Sequence, residues 1–403
     1  MDFVGERYYK LNKILLLCLG LWPCQTSTLK KTQIIFFQTL FISFLVCQWN
    51  SMLVQKYSIE FIIKITMFIT INCIFIVKYN AFLLLDNKIK YIFDRIQYDW
   101  NMLKAQVELE MIRKYANTAK LFTVCFIILV TTIIPGLLVI LSVPRILDVI
   151  VPMNESRQRQ SLIQLEYFID EETYFFASLI YIILTISVGT ITIAAIATIH
   201  MAYVLHACAM FQIASHRIEH IFDNLQQIPK DIKKYMLCNK LIHAVYVHRR
   251  AVDFTKILTN TFATLYFVLL GLGVVSMSLS FLNFIYAVLS LKIWDVLICS
   301  YSIFVHMYYI FVGNFIGQNV IDTSIDICRA SYNAQWYVAP LYMQKLILFI
   351  MQRSNKRSAL IAGGLFDASL EGFATLMSMS VSYVMVLQSI GHKENYEKKN
   401  DHI

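Results

Sequence analysis

Charge is what this chain has least of. Asp, Glu, Lys and Arg make up 15% of its 403 residues, where a soluble domain carries about 25%. Apolar residues fill the deficit at 58%, gathered in runs long enough for a helix to cross a bilayer's hydrocarbon core, about 20 residues. That excludes an ordinary water-soluble domain and makes the fold class an all-α membrane protein, since helices satisfy their own backbone hydrogen bonds in lipid. Catalytic signatures are also lacking. There is no Gly-rich phosphate loop, no nucleophile elbow and no paired-carboxylate pattern, so neither an enzyme nor a cofactor is expected. The nine cysteines (Cys18, Cys24, Cys47, Cys73, Cys125, Cys208, Cys238, Cys299 and Cys328) are odd in number and contain no C-x-x-C pair. A disulfide framework or zinc site is therefore not expected, and the thiols read as weakly polar packing groups. No internal repeat or low-complexity tract is present. A net charge of +9 would raise nucleic acid as a partner in a soluble protein; here it has a topological meaning and nucleic acid is not expected.

Spans are expected at about 33–54, 61–85, 121–143, 174–205, 261–289, 294–317 and 364–389. The fourth is too long for a simple crossing and should continue beyond the membrane. Pro135-Gly136 should kink the third, and Lys64 and Lys78 in the second should snorkel toward the interfaces. Basic residues orient the chain. The N-terminal tail and the 86–120, 206–260 and 318–363 segments hold 25 Lys and Arg together, while the alternate segments hold 8. This predicts a cytoplasmic N-terminus and an extracellular C-terminus. The only N-glycosylation sequon, at Asn154, then falls in an extracellular loop. A G-protein-coupled receptor would have the opposite orientation, and its Asp-Arg-Tyr and Asn-Pro-x-x-Tyr motifs are missing from the third and seventh spans.

The cytoplasmic segments look structured. Ile89, Ile92, Ile96, Trp100 and Leu103 recur at three- and four-residue steps, one face of a helix. Ala339-Pro340 is placed to start another, running through Leu341 to Met351. Parts of 86–120, 206–260 and 318–363 should thus pack as a cytoplasmic helical anchor. Near the N-terminus, Arg7, Lys10 and Lys13 precede the apolar run Ile14 to Trp22, which superficially resembles a signal peptide. A poor cleavage site favours a retained helix at the cytoplasmic membrane face.

Along the seventh span, Asp367, Glu371, Thr375, Ser378, Ser382, Val386 and Ser389 share one helical face. Such a polar stripe is costly against lipid. It reads either as a pore wall, its acidic end favouring cations, or as helix packing through small polar residues. A ligand pocket would need apolar and aromatic walls with a few polar groups. In the outer halves of spans two to six, the candidates are Phe68, Asn72, Thr132, Gly136, Phe176, Tyr181, Met277, Phe281 and Tyr301. His216-Arg217-Ile218-Glu219-His220 matches H-x-x-E-H, a zinc-peptidase pattern. Six of the nine histidines lie between 200 and 248, and no third ligand is identifiable, so a structural role is favoured and no metal is expected.

Several segments resemble insect odorant receptors. In the last span these are Leu365-Phe366-Asp367-Ala368-Ser369-Leu370-Glu371-Gly372-Phe373-Ala374-Thr375 and Ser382-Tyr383-Val384-Met385-Val386-Leu387. Leu11-Asn12-Lys13 with Gly20-Leu21-Trp22-Pro23 is similar to the N-terminal motif of hymenopteran odorant receptors. His206-Ala207-Cys208, Arg217-Ile218-Glu219, Tyr332-Asn333, Trp336-Tyr337, Ala339-Pro340 and Gln344-Lys345-Leu346 follow in the family's order.

The resemblance implies a tetrameric, ligand-gated cation channel in which the seventh helix of each subunit lines the pore. It also implies a hydrophobic gate at Val386 and Ile390, and a small volatile odorant held in the outer half of the bundle. The chain lacks the co-receptor's long insertion between spans four and five, and it ends in a charged tail from Lys393 to Ile403. Both features imply a tuning subunit, partnered by the odorant co-receptor in a heterotetramer in the plasma membrane of an olfactory neuron's dendrite. A gustatory-type channel of the same superfamily shares the topology and is the alternative. A secondary transporter would need paired, broken half-repeats, which are not visible.

Overall fold

The computed structural model describes residues 5–25, 27–54, 58–150, 171–223 and 230–400, with side chains described outside 133–134, 137–149, 171–176, 230–233 and 390–400. Asn154 lies outside the described residues. The helices are α1 (Glu6–Cys18), α2 (Thr28–Val54), α3 (Ile59–Leu84), α4 (Asp86–Met102), α5 (Gln106–Ile150), α6 (Glu171–Glu219), α7 (Lys230–Leu289), α8 (Ile293–Asn333), α9 (Leu341–Ser354) and α10 (Leu370–Asn400). The only other regular structure among the described residues is a 3-10 turn, Trp336–Val338, and the strands β1 (Ile361–Ala362) and β2 (Phe366–Asp367). Among the described residues, seven helices are long and apolar enough to cross a membrane: α2, α3, α5, α6, α7, α8 and α10.

Several of these outrun any bilayer. A crossing needs about 20 residues, whereas α6 has 49, α7 has 60 and α8 has 41. The surplus gathers at one end of the bundle, called here the basal end, with α1, α4 and α9. Helix α4 forms there because its apolar residues fall on one face. Ile89, Ile92, Ile96, Trp100 and Leu103 are all buried, and each isoleucine contributes about 2 kcal/mol by leaving water. Trp100 stacks on Tyr8 of α1, ring centroids 5.7 Å apart. The polar groups there are paired. Asp99 accepts from Arg250 Nε at 2.6 Å and lies 3.2 Å from His206 Nε2. Arg217 grips both oxygens of Glu108, at 2.6 and 2.8 Å.

At the other end, the α7–α8 connection meets the start of α3. Ser58 caps α3 by accepting from the Phe61 amide. The ion pairs Lys64–Asp295 (3.4 Å) and Lys292–Glu60 (2.5 Å) tie α3 to the α7–α8 corner.

Four expectations concern particular elements, and two of them are corrected. First, the N-terminal helix α1 is built into the basal end against α5 and α6. Asn12, 1% exposed, donates to Thr198 at 2.8 Å and Thr123 at 3.3 Å. The end carbonyls of α1 (Leu17, Cys18 and Leu19) accept from Gln33 and Tyr79, and that of Leu17 also from the Gly20 amide at 3.2 Å.

Second, α5 runs as one helix through Pro135-Gly136, where proline forfeits one intrahelical hydrogen bond.

Third, the last helix starts at Leu370, not 364. Gly363 and Gly364 take left-handed conformations, φ +59° and +75°, which only glycine adopts without strain. They turn β1 back on β2 so that Ile361 pairs with Asp367, and the Gly363 amide donates to the Ala263 carbonyl of α7 at 3.0 Å. Asp367 therefore leaves the helical stripe and pairs with Arg357 at 2.7 Å.

Fourth, Lys78 does not snorkel. It is 3% exposed and turned into the bundle, with its ammonium against Tyr309.

Candidate pore-lining helix and apolar ligand pocket

Helix α10 is seated by its N-terminus and one narrow face. Ser369 caps it, its hydroxyl accepting from the Gly372 amide at 3.0 Å. Two α8 side chains take other free amides: Asn314 accepts from Ser369 N at 3.2 Å and Gln318 from Leu370 N at 3.3 Å. Gly317 of α8 is what allows this approach, because a Cβ there would collide with Ala368. Farther along, Leu376, Ser380 and Val384 are buried. The Ser278 hydroxyl of α7 donates to the Ser380 carbonyl at 3.0 Å, and Phe373 meets Phe311 edge-on, centroids 5.5 Å apart.

Glu371, Thr375, Ser378, Ser382, Val386 and Ser389 are all exposed. Among the described residues nothing packs over this face. Thr375, Ser382 and Ser389 bond back to carbonyls of their own helix, at 3.0, 2.9 and 2.8 Å, so these hydroxyls need no protein partner. Tyr383 and Met385 are also exposed, at 54% and 65%. Exposure alone therefore does not single out the stripe; its polarity does. The side chain of Ile390 lies outside the described residues. Sequence periodicity did not mark Ser380, the serine that packs inward. It lies on the Leu376–Val384 line, where a small residue admits the close approach of α7.

The pocket candidates divide. Phe68 sits where two apolar clusters meet. One joins Phe44, Ile65 and Ile182 with Tyr181; the other joins Ile63, Met67, Leu279 and Leu282. Tyr181 turns its ring to Phe44 (5.8 Å) and its hydroxyl to Ser43 (2.7 Å). Met277 is fully buried on α7, and Phe281, one turn on, is half-buried. Asn72 is buried but faces α2, donating to the Phe41 carbonyl at 3.2 Å and Gln48 Oε1 at 3.3 Å. Thr132, Gly136 and Tyr301 are exposed, Thr132 donating to its own helix at 2.7 Å. The side chain of Phe176 lies outside the described residues. Ser43, Gln48 and the isoleucines of the first cluster were not anticipated. Spans that are apolar all round carry no periodic signal of which face is inward.

His216 and His220 have ring centroids 4.3 Å apart, and among the described residues no third metal-binding side chain joins them. An open groove of about 480 Å³ follows α5, lined by Glu110, Arg113, Lys114, Asn117, Thr118 and Leu121. Its charge and openness make it unlike an apolar ligand site, and it shares no residue with the candidates.

Comparison with known proteins places this architecture. The family described as 7tm odorant receptor matches residues 58–381. Odorant receptor 22c of Drosophila melanogaster is 25% identical over 227 residues, 52% of this chain and 53% of that protein. Odorant receptor 9a of the same species is 22% identical over 196 residues, 46% of this chain and 45% of that one. The chain thus spans about half the length of the curated relatives it matches. The fold of the insect olfactory receptor OR5 from Machilis hrabei, solved with eugenol, superposes with a TM-score of 0.76, covering 96% of this chain and 98% of that one at 16% identity. A second structure of the same receptor gives 0.73 at 14% identity. With seven apolar helices, this fold throughout and the family's pattern across most of its length, the chain is a multi-pass membrane protein belonging to the 7tm odorant receptor family.

Proposed function

We propose that this chain is a tuning odorant-receptor subunit that binds a small volatile ligand and gates a non-selective cation channel together with the odorant co-receptor. The observation that carries the reading is the polar face of α10, which the chain leaves unpacked: Glu371, Thr375, Ser378, Ser382, Val386 and Ser389. In a bilayer that face is costly toward lipid and inexpensive around a water-filled axis shared with other subunits. Val386 and Ile390 then form the hydrophobic constriction that closes by dewetting. The ligand is held in the half of the bundle away from the basal end, around Phe68, Tyr181, Met277 and Phe281. It must bind the open state more tightly than the closed one. Each CH₂ buried in only one state supplies about 0.8 kcal/mol of that difference.

Assembly has a surface available. At the basal end Tyr332, Tyr337, Val338, Leu341 and Phe349 are each at least 66% exposed, an apolar face suited to neighbouring subunits. With the basal end cytoplasmic, as the basic residues require, the Asn154 sequon is extracellular and open to glycosylation in the plasma membrane.

The test is whole-cell current during a broad volatile panel, eugenol included, with the chain expressed alone and with an odorant co-receptor. A rapid odour-evoked cation current only in the second case is expected. Surface-expressed channels that respond to soluble tastants without any co-receptor would replace this reading with a gustatory-type one.

A further inference from the structure

The open groove of about 480 Å³ on α5 plays no part in the channel reading, and its chemistry is ordered. Glu110, Arg113, Lys114, Asn117, Thr118 and Leu121 line it and share the outward face of the helix. The opposite face carries Glu108, Ile112, Ala116 and Ala119, all buried against the bundle. Among the described residues neither Arg113 nor Lys114 has a carboxylate partner, and the Arg113 Nε is enclosed without any hydrogen-bond partner. Lys114 and Asn117 are exposed. Glu110 accepts from Gln106 Nε2 at 3.1 Å, and a carboxylate has room for further donors.

One end of the groove lies where the apolar part of α5 begins. Leu121 is 63% exposed, and the next outward residues, Cys125 and Ile128, are exposed as well. Their steps of four and three make one outward apolar row. At 1.5 Å per residue, Lys114 lies about 10 Å below Leu121 and Glu110 about 6 Å below Lys114. From the bilayer toward the basal end the face therefore reads apolar row, amide, two cations, carboxylate. A phospholipid presents its groups in the complementary order: acyl chain, ester carbonyls, phosphodiester, terminal group.

We propose that this groove holds the headgroup of a serine phospholipid from the leaflet on the basal side. The phosphodiester lies on Arg113 and Lys114, the ammonium on Glu110, and an acyl chain along Leu121, Cys125 and Ile128. The chain displaces no packed side chain, because that row already faces outward. Arg113 and Lys114 alone would accept any phosphate; Glu110 repels an anion that brings no ammonium. The two cations and one carboxylate leave a single positive charge, which matches the single negative charge of a serine headgroup. With the basal end cytoplasmic, this is the leaflet whose anionic lipids attract basic segments beside the membrane. The site goes beyond the channel reading and shares with it only that orientation.

Binding is measured apart from gating, so that failure here is distinct from failure of the channel reading. The full-length chain in detergent is mixed with dioleoyl phosphatidylserine, phosphatidylglycerol or phosphatidylcholine, and the lipid it retains is counted by native mass spectrometry. Phosphatidylserine should be retained several-fold more than phosphatidylcholine, with phosphatidylglycerol between them. Arg113→Gln with Lys114→Gln should lower phosphatidylserine to the phosphatidylcholine level. Glu110→Gln should lower it to the phosphatidylglycerol level. Lys88→Gln with Lys90→Gln, which takes the same charge from exposed positions on α4, should leave it unchanged. Equal retention of the serine and choline lipids overturns the proposal, as does an excess that survives loss of Arg113 and Lys114 or falls equally in the α4 variant. Displacement of the serine lipid by millimolar inorganic phosphate assigns the groove to a soluble anion and also overturns it. If the Arg113/Lys114 variant does not fold, the wild-type order of the three lipids and its change in Glu110→Gln decide the question.

Discussion

Replacing Asp99 tests whether the basal end is held by its buried charges. Asp99 is 1% exposed and is joined by Arg250, whose side chain is 11% exposed, and by His206. The Asp99→Ala change leaves a desolvated guanidinium facing a void, and removing one partner of such a pair costs about 3–5 kcal/mol. Arg250 keeps some compensation, since it stacks over the Tyr98 ring at 4.4 Å, so the lower half of that range is expected. At about 2 cal/mol/K of unfolding entropy per residue, 3–4 kcal/mol over this chain is on the order of 4–5 °C. The assay is thermal unfolding of the detergent-solubilised chain carrying Asp99→Ala, Arg250→Met or both. The double variant should lose about 2 kcal/mol less than the sum of the singles, because it buries no orphaned charge. Single variants within half a degree of wild type, or strictly additive losses, would refute the idea that this pair organises the basal end.

Three further outcomes follow from particular contacts. His248, at the basal end, is lowered to about 4 by burial and, secondarily, by the Arg353 guanidinium. The unfolded chain therefore takes up this proton first, and stability should fall by about 3 kcal/mol as pH drops from 6.5 to 4; urea titrations should show this slope flattened in His248→Phe. Gly317→Val should prevent α10 from seating on α8, because its Cβ meets Ala368; at about 1–3 kcal/mol of overpacking, surface labelling should fall several-fold, and normal labelling would exclude this contact as limiting. Val386→Glu should change rectification or leak in the assembled channel, and currents indistinguishable from wild type would remove Val386 from the pore.

Periodicity and composition by themselves determined that this chain crosses a membrane on seven helices, that α4 exists and that its Ile89–Trp100 face is buried. They also showed that the last span carries a polar stripe. These are local consequences of apolar spacing, and no distant contact is needed to enforce them. Tertiary structure alone decided which way each span is rotated. The spanning parts of α3, α6, α7 and α8 are apolar round most of their circumference, so their own pattern does not say that Asn72 turns to α2, that Ser278 meets Ser380, or that Lys78 points inward to Tyr309 and not out to the interface. It also decided where α10 begins. The left-handed pair Gly363-Gly364 is stabilised by docking on Ala263, a contact 100 residues away in sequence, and that turn moved Asp367 off the stripe and onto Arg357. Burial can be read along a chain wherever one face differs from the other; orientation in a uniformly apolar helix is set by the neighbours it packs against.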